Sequence, residues 1–232
     1  MKKFLSLTLF SFFILNCNAQ KMYIKDNNLK RALIEQIDKN SNGEIEESEV
    51  LETKKLRLDE KNISDISGLE KFKNLTYLNL RKNQISDFSK LNKLESLEEL
   101  IIGDNKNVEK LNLKNLNNLV GLYAFRLGLK EIKLNSSKIK NLYLQDNEFL
   151  KFETKKFPEL YTLNLDGCKQ LTELDLTQNP NLGQIYLLNT AIKKLNVAGN
   201  PVLKTMYIEN EVELLKNKNQ ERLKPAPIII QN

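Results

Sequence analysis

Histidine and tryptophan are absent from this chain of 232 residues. Without histidine, the commonest general base and the commonest zinc ligand are both missing. Any catalysis would fall to carboxylates, lysines, tyrosines or the two cysteines, Cys17 and Cys168. No nucleophile elbow and no glycine-rich phosphate loop is present either, so the chain does not read as an enzyme. It also lacks a basic stripe. The net charge of +6 is spread along the chain, which argues against a nucleic-acid partner. The one uncharged apolar run, Phe4 to Leu15, has 12 residues and is too short to span a bilayer.

That run follows Lys2 and Lys3, as the h-region of a signal peptide over residues 1–19 would. The competing reading is a buried N-terminal helix. Two processing routes are open. Cleavage after Ala19 places Cys17 and Ala19 at the small-residue positions. Alternatively, Ile14-Leu15-Asn16-Cys17 resembles a bacterial lipobox, with Asn16 departing from it, and Cys17 would be the site of lipid attachment. A membrane is then met only through that anchor. Removing Lys2 and Lys3 lowers the net charge by two, to +4. No intrachain disulfide is expected, so packing must hold the mature chain. The protein is expected to be exported, either secreted or on the cell surface or outer envelope.

What the chain does have is a repeat. The pattern L-x-x-L-x-L-x-x-N recurs at Leu75, Leu78, Leu80, Asn83 and at Leu97, Leu100, Ile102, Asn105. It returns at Leu119, Leu122, Ala124, with Leu127 in the Asn place, and at Ile139, Leu142, Leu144, Asn147. Leu160, Leu163, Leu165 and Leu182, Ile185, Leu187 follow, with Cys168 and Thr190 at the last position, and Leu203, Met206, Ile208 close the series. Leu56 and Leu58 begin a degenerate first copy. From residue 75 the starts are 22, 22, 20, 21, 22 and 21 residues apart. This resembles the leucine-rich repeat. The L-x-L step is a strand with both apolar residues facing the core, and the Asn can satisfy backbone groups left unpaired by the bend. Cys168 fits as a small buried hydrophobe. A second apolar set (Ile85, Phe88, Leu91, Leu94; Phe149, Phe152, Phe157; Ile192, Leu195, Val197) closes the other side of each coil. The fold class implied is an α/β solenoid, a curved right-handed coil with a parallel concave sheet and a helical N-terminal cap.

The segment before the repeats has another texture. Asp26 or Asn27 can cap a helix over about 28–38, with Leu29, Leu33 and Ile37 on one face. Residues 38–49 then resemble an EF-hand calcium loop. Asp38, Asn40 and Asn42 stand at positions 1, 3 and 5, Gly43 at 6, Ile45 at 8, Glu46 at 9 and Glu49 at 12. The resemblance implies a Ca2+ cofactor held by the side chains of Asp38, Asn40, Asn42, Glu46 and Glu49 and the carbonyl of Glu44. A lone hand with two Asn ligands implies a dissociation constant on the order of 10⁻⁴ to 10⁻³ M. The competing reading is an acidic turn that merely caps the solenoid.

Cap and repeats together resemble bacterial internalin-type proteins. Ile63-Ser64-Asp65-Ile66 and Asn83-Gln84-Ile85-Ser86-Asp87-Phe88 look like that family's turns. Later copies, such as Asp175-Leu176-Thr177-Gln178-Asn179-Pro180 and Asn196-Val197-Ala198-Gly199-Asn200-Pro201, are similar to secreted repeats of Bacteroidetes-type bacteria. The implied organisation is a signal peptide over 1–19, a helical cap with the EF-hand-like loop over 20–53, about eight coils over 54–209 and a C-terminal cap over 210–232. Within the last, Val212, Leu214 and Leu215 are expected to cover the final coil, with Leu223 to Ile230 as an extended strand. A free, sticky tail is the alternative.

Residues flanking each L-x-L pair face outward from the concave sheet. Five of the seven tyrosines fall there. Tyr77, Tyr123, Phe125, Tyr143, Tyr186, Leu188 and Tyr207 form the expected partner-binding set, since tyrosine buries much area at little entropic cost. Strand propensity alone is the plainer explanation. The expected function is an exported protein–protein interaction module with a calcium-stabilised cap, its protein ligand lying on the concave face. Glycan binding or a structural envelope role is the alternative.

Overall fold

The structure is a computed structural model and describes residues 21–226. The expected signal peptide, Cys17 and the end of the tail, Pro227 to Ile230, lie outside the described residues.

The chain opens with helix α1, Asn27–Ile37. Asp26 starts it by accepting from the amides of Asn28 (2.9 Å) and Leu29 (3.0 Å) through Oδ1. Its other oxygen accepts from the Ser64 and Asp65 amides and the Ser64 hydroxyl, at 2.9, 3.1 and 3.0 Å. One carboxylate therefore caps the helix and ties it to the first coil. Leu29, Ala32, Leu33 and Ile37 are buried on the coil side. The 38–46 loop then leads into α2, Glu47–Glu52.

Eight short strands follow as one parallel sheet in chain order: Lys55–Arg57, Tyr77–Asn79, Glu99–Ile101, Gly121–Tyr123, Asn141–Tyr143, Thr162–Asn164, Gln184–Tyr186 and Thr205–Tyr207. The register pairs each central leucine-type residue with the next, Leu56 with Leu78, Leu78 with Leu100 and so on to Ile185 with Met206. Three-residue strands suffice because every rung is repeated, and a continuous column of aliphatic side chains is buried behind them. The sheet's first edge is closed by a side chain. Gln36 of α1 donates to the Arg57 carbonyl (2.7 Å) and accepts from its amide (3.0 Å), as a neighbouring strand would. At the far edge the Ala226 amide donates to the Met206 carbonyl (2.7 Å).

The other side of the solenoid changes along its length. The first coils carry 3-10 turns at Leu69–Lys71 and Ser89–Lys93. Later coils carry strands paired in twos: Lys110–Leu113 with Glu131–Leu134, Lys151–Glu153 with Glu173–Asp175, and Lys194–Asn196 with Glu213–Leu215. The second apolar set is buried there, from Ile85 to Val197.

Two polar ladders run through the stack. In the early coils Asn83 donates to the carbonyls of Leu58 (2.7 Å) and Leu80 (2.9 Å) and accepts from Ile63 N (2.9 Å). Asn105 and Asn147 repeat that pattern. Where this position becomes Cys168, the thiol still reaches the Leu144 carbonyl (3.5 Å), and burial pushes it up to about 11, so it stays protonated. From Thr154 onward a second ladder forms at the opposite corner. Asn179 donates to Thr154 O and Phe157 O, Asn200 to Leu176 O and Asn179 O, and Gln220 to Val197 O (2.8 Å) and Asn200 O (2.9 Å). Gln220 belongs to the C-terminal cap and supplies what the next coil's Asn would.

Candidate functional site

The sheet face carries the middle column Arg57, Asn79, Ile101, Tyr123, Tyr143, Asn164, Tyr186, Tyr207, aligned rung to rung. Adjacent parallel strands lie about 4.8 Å apart, which is also the spacing of offset-stacked rings. Tyr123 and Tyr143 stack at 4.8 Å between centroids and 7° between planes. Tyr186 and Tyr207 stack at 5.1 Å and 10°. All four, with Tyr77 and Leu188, are partly exposed on the face. Burial raises the Tyr186 hydroxyl, and the Tyr143 hydroxyl two strands away adds to the effect.

Phe125 departs from the expectation of an exposed ring. It is only 9% exposed. The missing side chain of Gly103 leaves room for it, since a Cβ there would stand 2.5 Å from the ring. Arg81 lies over the ring at 5.3 Å and Arg126 at 4.9 Å. Asp104 holds both guanidiniums, at 2.8 Å from Arg81 and 2.5 Å from Arg126, and the Arg126 bond leads in holding its carboxyl below the usual range. Phe125 is thus a packed element of the face. Alternation along a strand gives the side a residue faces, not its depth.

Between the two tyrosine pairs, past the C-terminal ends of the strands, the face turns acidic. Asp166 is pushed up to about 6 by burial, with Asp146 and Glu209 adding to the shift and the Leu188 amide (2.6 Å) opposing it. On the preceding rung the Oε1 of Gln145 is buried and has no hydrogen-bond partner among the described residues. Sequence reading placed Gln145, Asn164 and Asp166 on this face without singling them out, because polar residues in outward columns carry no signal until their depth is known. A hollow beside Gly121, lined by Tyr77, Glu99 and Tyr123, escaped it for the same reason.

The cap loop brings Asp38, Asn40, Asn42, Glu46 and Glu49 together. Asp38 accepts from the Asn42 (3.2 Å) and Gly43 (2.8 Å) amides, Asn40 from Asn42 N (3.0 Å) and Asn42 from Glu44 N (2.8 Å). Ser41 and Gly43 take positive φ, 58° and 76°, to make the turn. Glu49 is buried and accepts from Lys39 N (2.8 Å) and Glu46 N (3.0 Å). Glu46 faces the Asn40 and Asn42 amide groups at 3.2 and 2.8 Å. The Glu44 side chain turns away, to Lys30 (3.2 Å) and Lys21 (3.8 Å). Met22 N donates to Ile45 O (2.8 Å), so the start of the described chain pairs with the loop where a second hand would. Among the described residues no three His, Cys, Asp or Glu side chains converge as a metal cluster. The donor set is nevertheless all oxygen, which is the chemistry a hard cation takes.

A family model for leucine-rich repeats, in two copies, matches residues 54–93. Over most of the chain the backbone superposes on solved proteins of the same architecture. The fold is a leucine-rich-repeat solenoid. The functional domain of InlJ from Listeria monocytogenes is similar at TM-score 0.72 and 22% identity, over 83% of this chain and 42% of that one. Internalin C2 from the same organism matches at TM-score 0.72 and 19% identity, over 86% of this chain and 90% of that one. A chain of the Drosophila Toll–Spatzle complex matches at TM-score 0.57 and 18% identity, over 70% and 23%. This solenoid therefore spans less than half of the InlJ chain. No curated protein matches it by sequence. At these identities the likeness is one of fold.

Proposed function

We propose that the chain is an exported protein-interaction module that grips a protein partner on its sheet face, concave in this fold, and that calcium stiffens its N-terminal cap. The two stacked tyrosine pairs carry this reading. Each ring is already immobilised by its neighbour and by strand register, so a partner can bury it with little further loss of entropy. Solenoids commonly bind on this face, and the Toll–Spatzle structure is itself a complex of two proteins. Calcium would be held by Asp38, Asn40, Asn42, Glu46 and Glu49 and by the Glu44 carbonyl. It would supply a positive charge against the carboxylates of Asp38, Glu46 and Glu49, three of the five in that loop of 12 residues.

The test is a pull-down with the mature chain from its native setting. Replacing Tyr143 and Tyr186 by alanine is expected to lower capture at least about ten-fold, the effect of one good interface anchor, with the melting temperature preserved. Unchanged capture would overturn the reading. A glycan array run in parallel separates protein recognition from sugar stacking on the same rings.

A further inference from the structure

The middle column holds Tyr123, Tyr143, Asn164, Tyr186 and Tyr207 on five successive strands. Four places carry rings stacked in pairs, and the third carries a short amide. Asn164 bends its Oδ1 back to the Asp166 amide (3.0 Å), which keeps its side chain low. Tyr143 and Tyr186 therefore flank a slot two strand spacings wide, about 9.6 Å between backbones. Rings on adjacent rungs of this column stack at 4.8 and 5.1 Å between centroids, so the two spacings across Asn164 leave the place of one planar group offset-stacked on both sides. The slot is one ring thick.

Its chemistry narrows the occupant. Asp166 and Gln145 stand on adjacent rungs at one end, and both offer acceptors. The Asp166 Oδ1 takes the Leu188 amide, and the Gln145 Oε1 is buried with no donor among the described residues. Asp146 and Glu209 add negative charge around Asp166. A neutral aromatic would leave those acceptors unmet, and an ammonium is not planar. A guanidinium is planar, cationic and rich in donors. The chain itself uses this contact nearby, with Arg57 over Tyr77 at 5.9 Å and both Arg81 and Arg126 over Phe125.

We propose that the slot over Asn164 takes an arginine side chain of the partner, its guanidinium between Tyr143 and Tyr186 and its N–H groups on Asp166 and Gln145. The proposal rests on the sheet face being the binding surface. An ionised Asp166 is needed, so binding strengthens as pH rises through the upper range of that carboxyl. The charged and titratable groups around it are Asp146, with Arg126 at 3.8 Å from that residue, Glu209, Tyr186 and the Cys168 thiol.

The probe is acetyl-Gly-Arg-Gly-amide titrated into the mature chain, read from tyrosine ring NMR signals. The Tyr143 and Tyr186 rings are expected to shift. The citrulline counterpart, equal in shape but neutral, should bind about ten-fold more weakly, the worth of one charge-assisted hydrogen bond. Asn164→Tyr fills the slot with the residue already found on four rungs and should abolish the shifts at an unchanged melting temperature. Asp166→Asn is an independent variant that should weaken binding and remove its rise between about pH 4.5 and 7.5, a window of about one and a half units either side of the carboxyl. Equal binding of arginine and citrulline, no shift at either ring, or full binding to Asn164→Tyr would each overturn the proposal. If partner capture is lost with Tyr143→Ala/Tyr186→Ala yet survives Asn164→Tyr, the slot fails while the sheet-face reading stands. If capture survives both, the sheet-face reading fails.

Discussion

Asp166 shows how much one outward-facing residue can carry. Its carboxyl is pushed up to about 6 in the folded protein from the ordinary 3.8, because burial first, and neighbouring acids after it, disfavour the charge. The folded state thus holds a proton that the unfolded state has lost between about pH 4 and pH 6. Stability falls as pH rises through that window and is level above it. Asn keeps the acceptor for the Leu188 amide and carries no charge. Asp166→Asn is expected to stabilise the protein by about 1–2 kcal/mol at pH 7, with no gain near pH 4, in denaturant unfolding followed across pH. The figure is discounted from the full shift because the side chain still meets water. The inward leucines were all legible in the sequence, since period-two alternation beside a fixed repeat leaves them no other place. Phe125 was not. Its burial depends on the bare Cα of Gly103 one strand away, and no pattern within its own coil records that.

At the scale of elements, the cap was legible through its capping residue and its spaced apolar face. The structure adds the two-sided use of Asp26 and the Gln36 contacts to Arg57. The outer side was harder to read. Its apolar residues stand out, but the pairing of outer strands in twos depends on where neighbouring coils lie, and short runs such as Lys-Phe-Glu at 151–153 have no strand signature of their own. The second ladder was visible only as Asn-Pro recurrences at Asn179 and Asn200. The loop at 38–49 makes its prediction at this scale. Calcium at about ten times its dissociation constant should add about 1.4 kcal/mol to the stability of the folded cap, seen as a rise in melting temperature. Asp38→Ala with Glu49→Ala should remove that rise, and a melting temperature indifferent to calcium in the unaltered chain would refute the site. Glu49 also bonds the Lys39 and Glu46 amides, so the variant's melting point without calcium is expected to drop as well.

Across the whole molecule, most side-chain hydrogen bonds in the stack span about one coil, some 17 to 25 residues, as from Asn83 to Leu58 or Asn147 to Ala124. Stability is then a sum over neighbours, with the two ends held by their own devices. Gln36→Ala deletes the pair of bonds that closes the first strand and should cost about 1 kcal/mol, since both groups regain water. Hydrogen exchange is the measurement that checks it. Protection should drop at Arg57 and the flanking cap while the strands from Gly121 onward keep theirs, and a uniform loss along the stack would contradict the nearest-neighbour picture.

The succession of two ladders makes the coils unequal in a practical sense. Between Asn83 and Asn105 one amide rung hands over to an identical one, so a duplicated coil inserted there would find matching donors above and below and would lengthen the sheet face without touching either terminus. An insertion at the Asn147–Cys168 step would instead set a thiol against partners expecting an amide. A duplicate placed between Asn179 and Asn200 would likewise meet its own kind, so the stack is extendable within either ladder and least so at the step where one ladder gives way to the other.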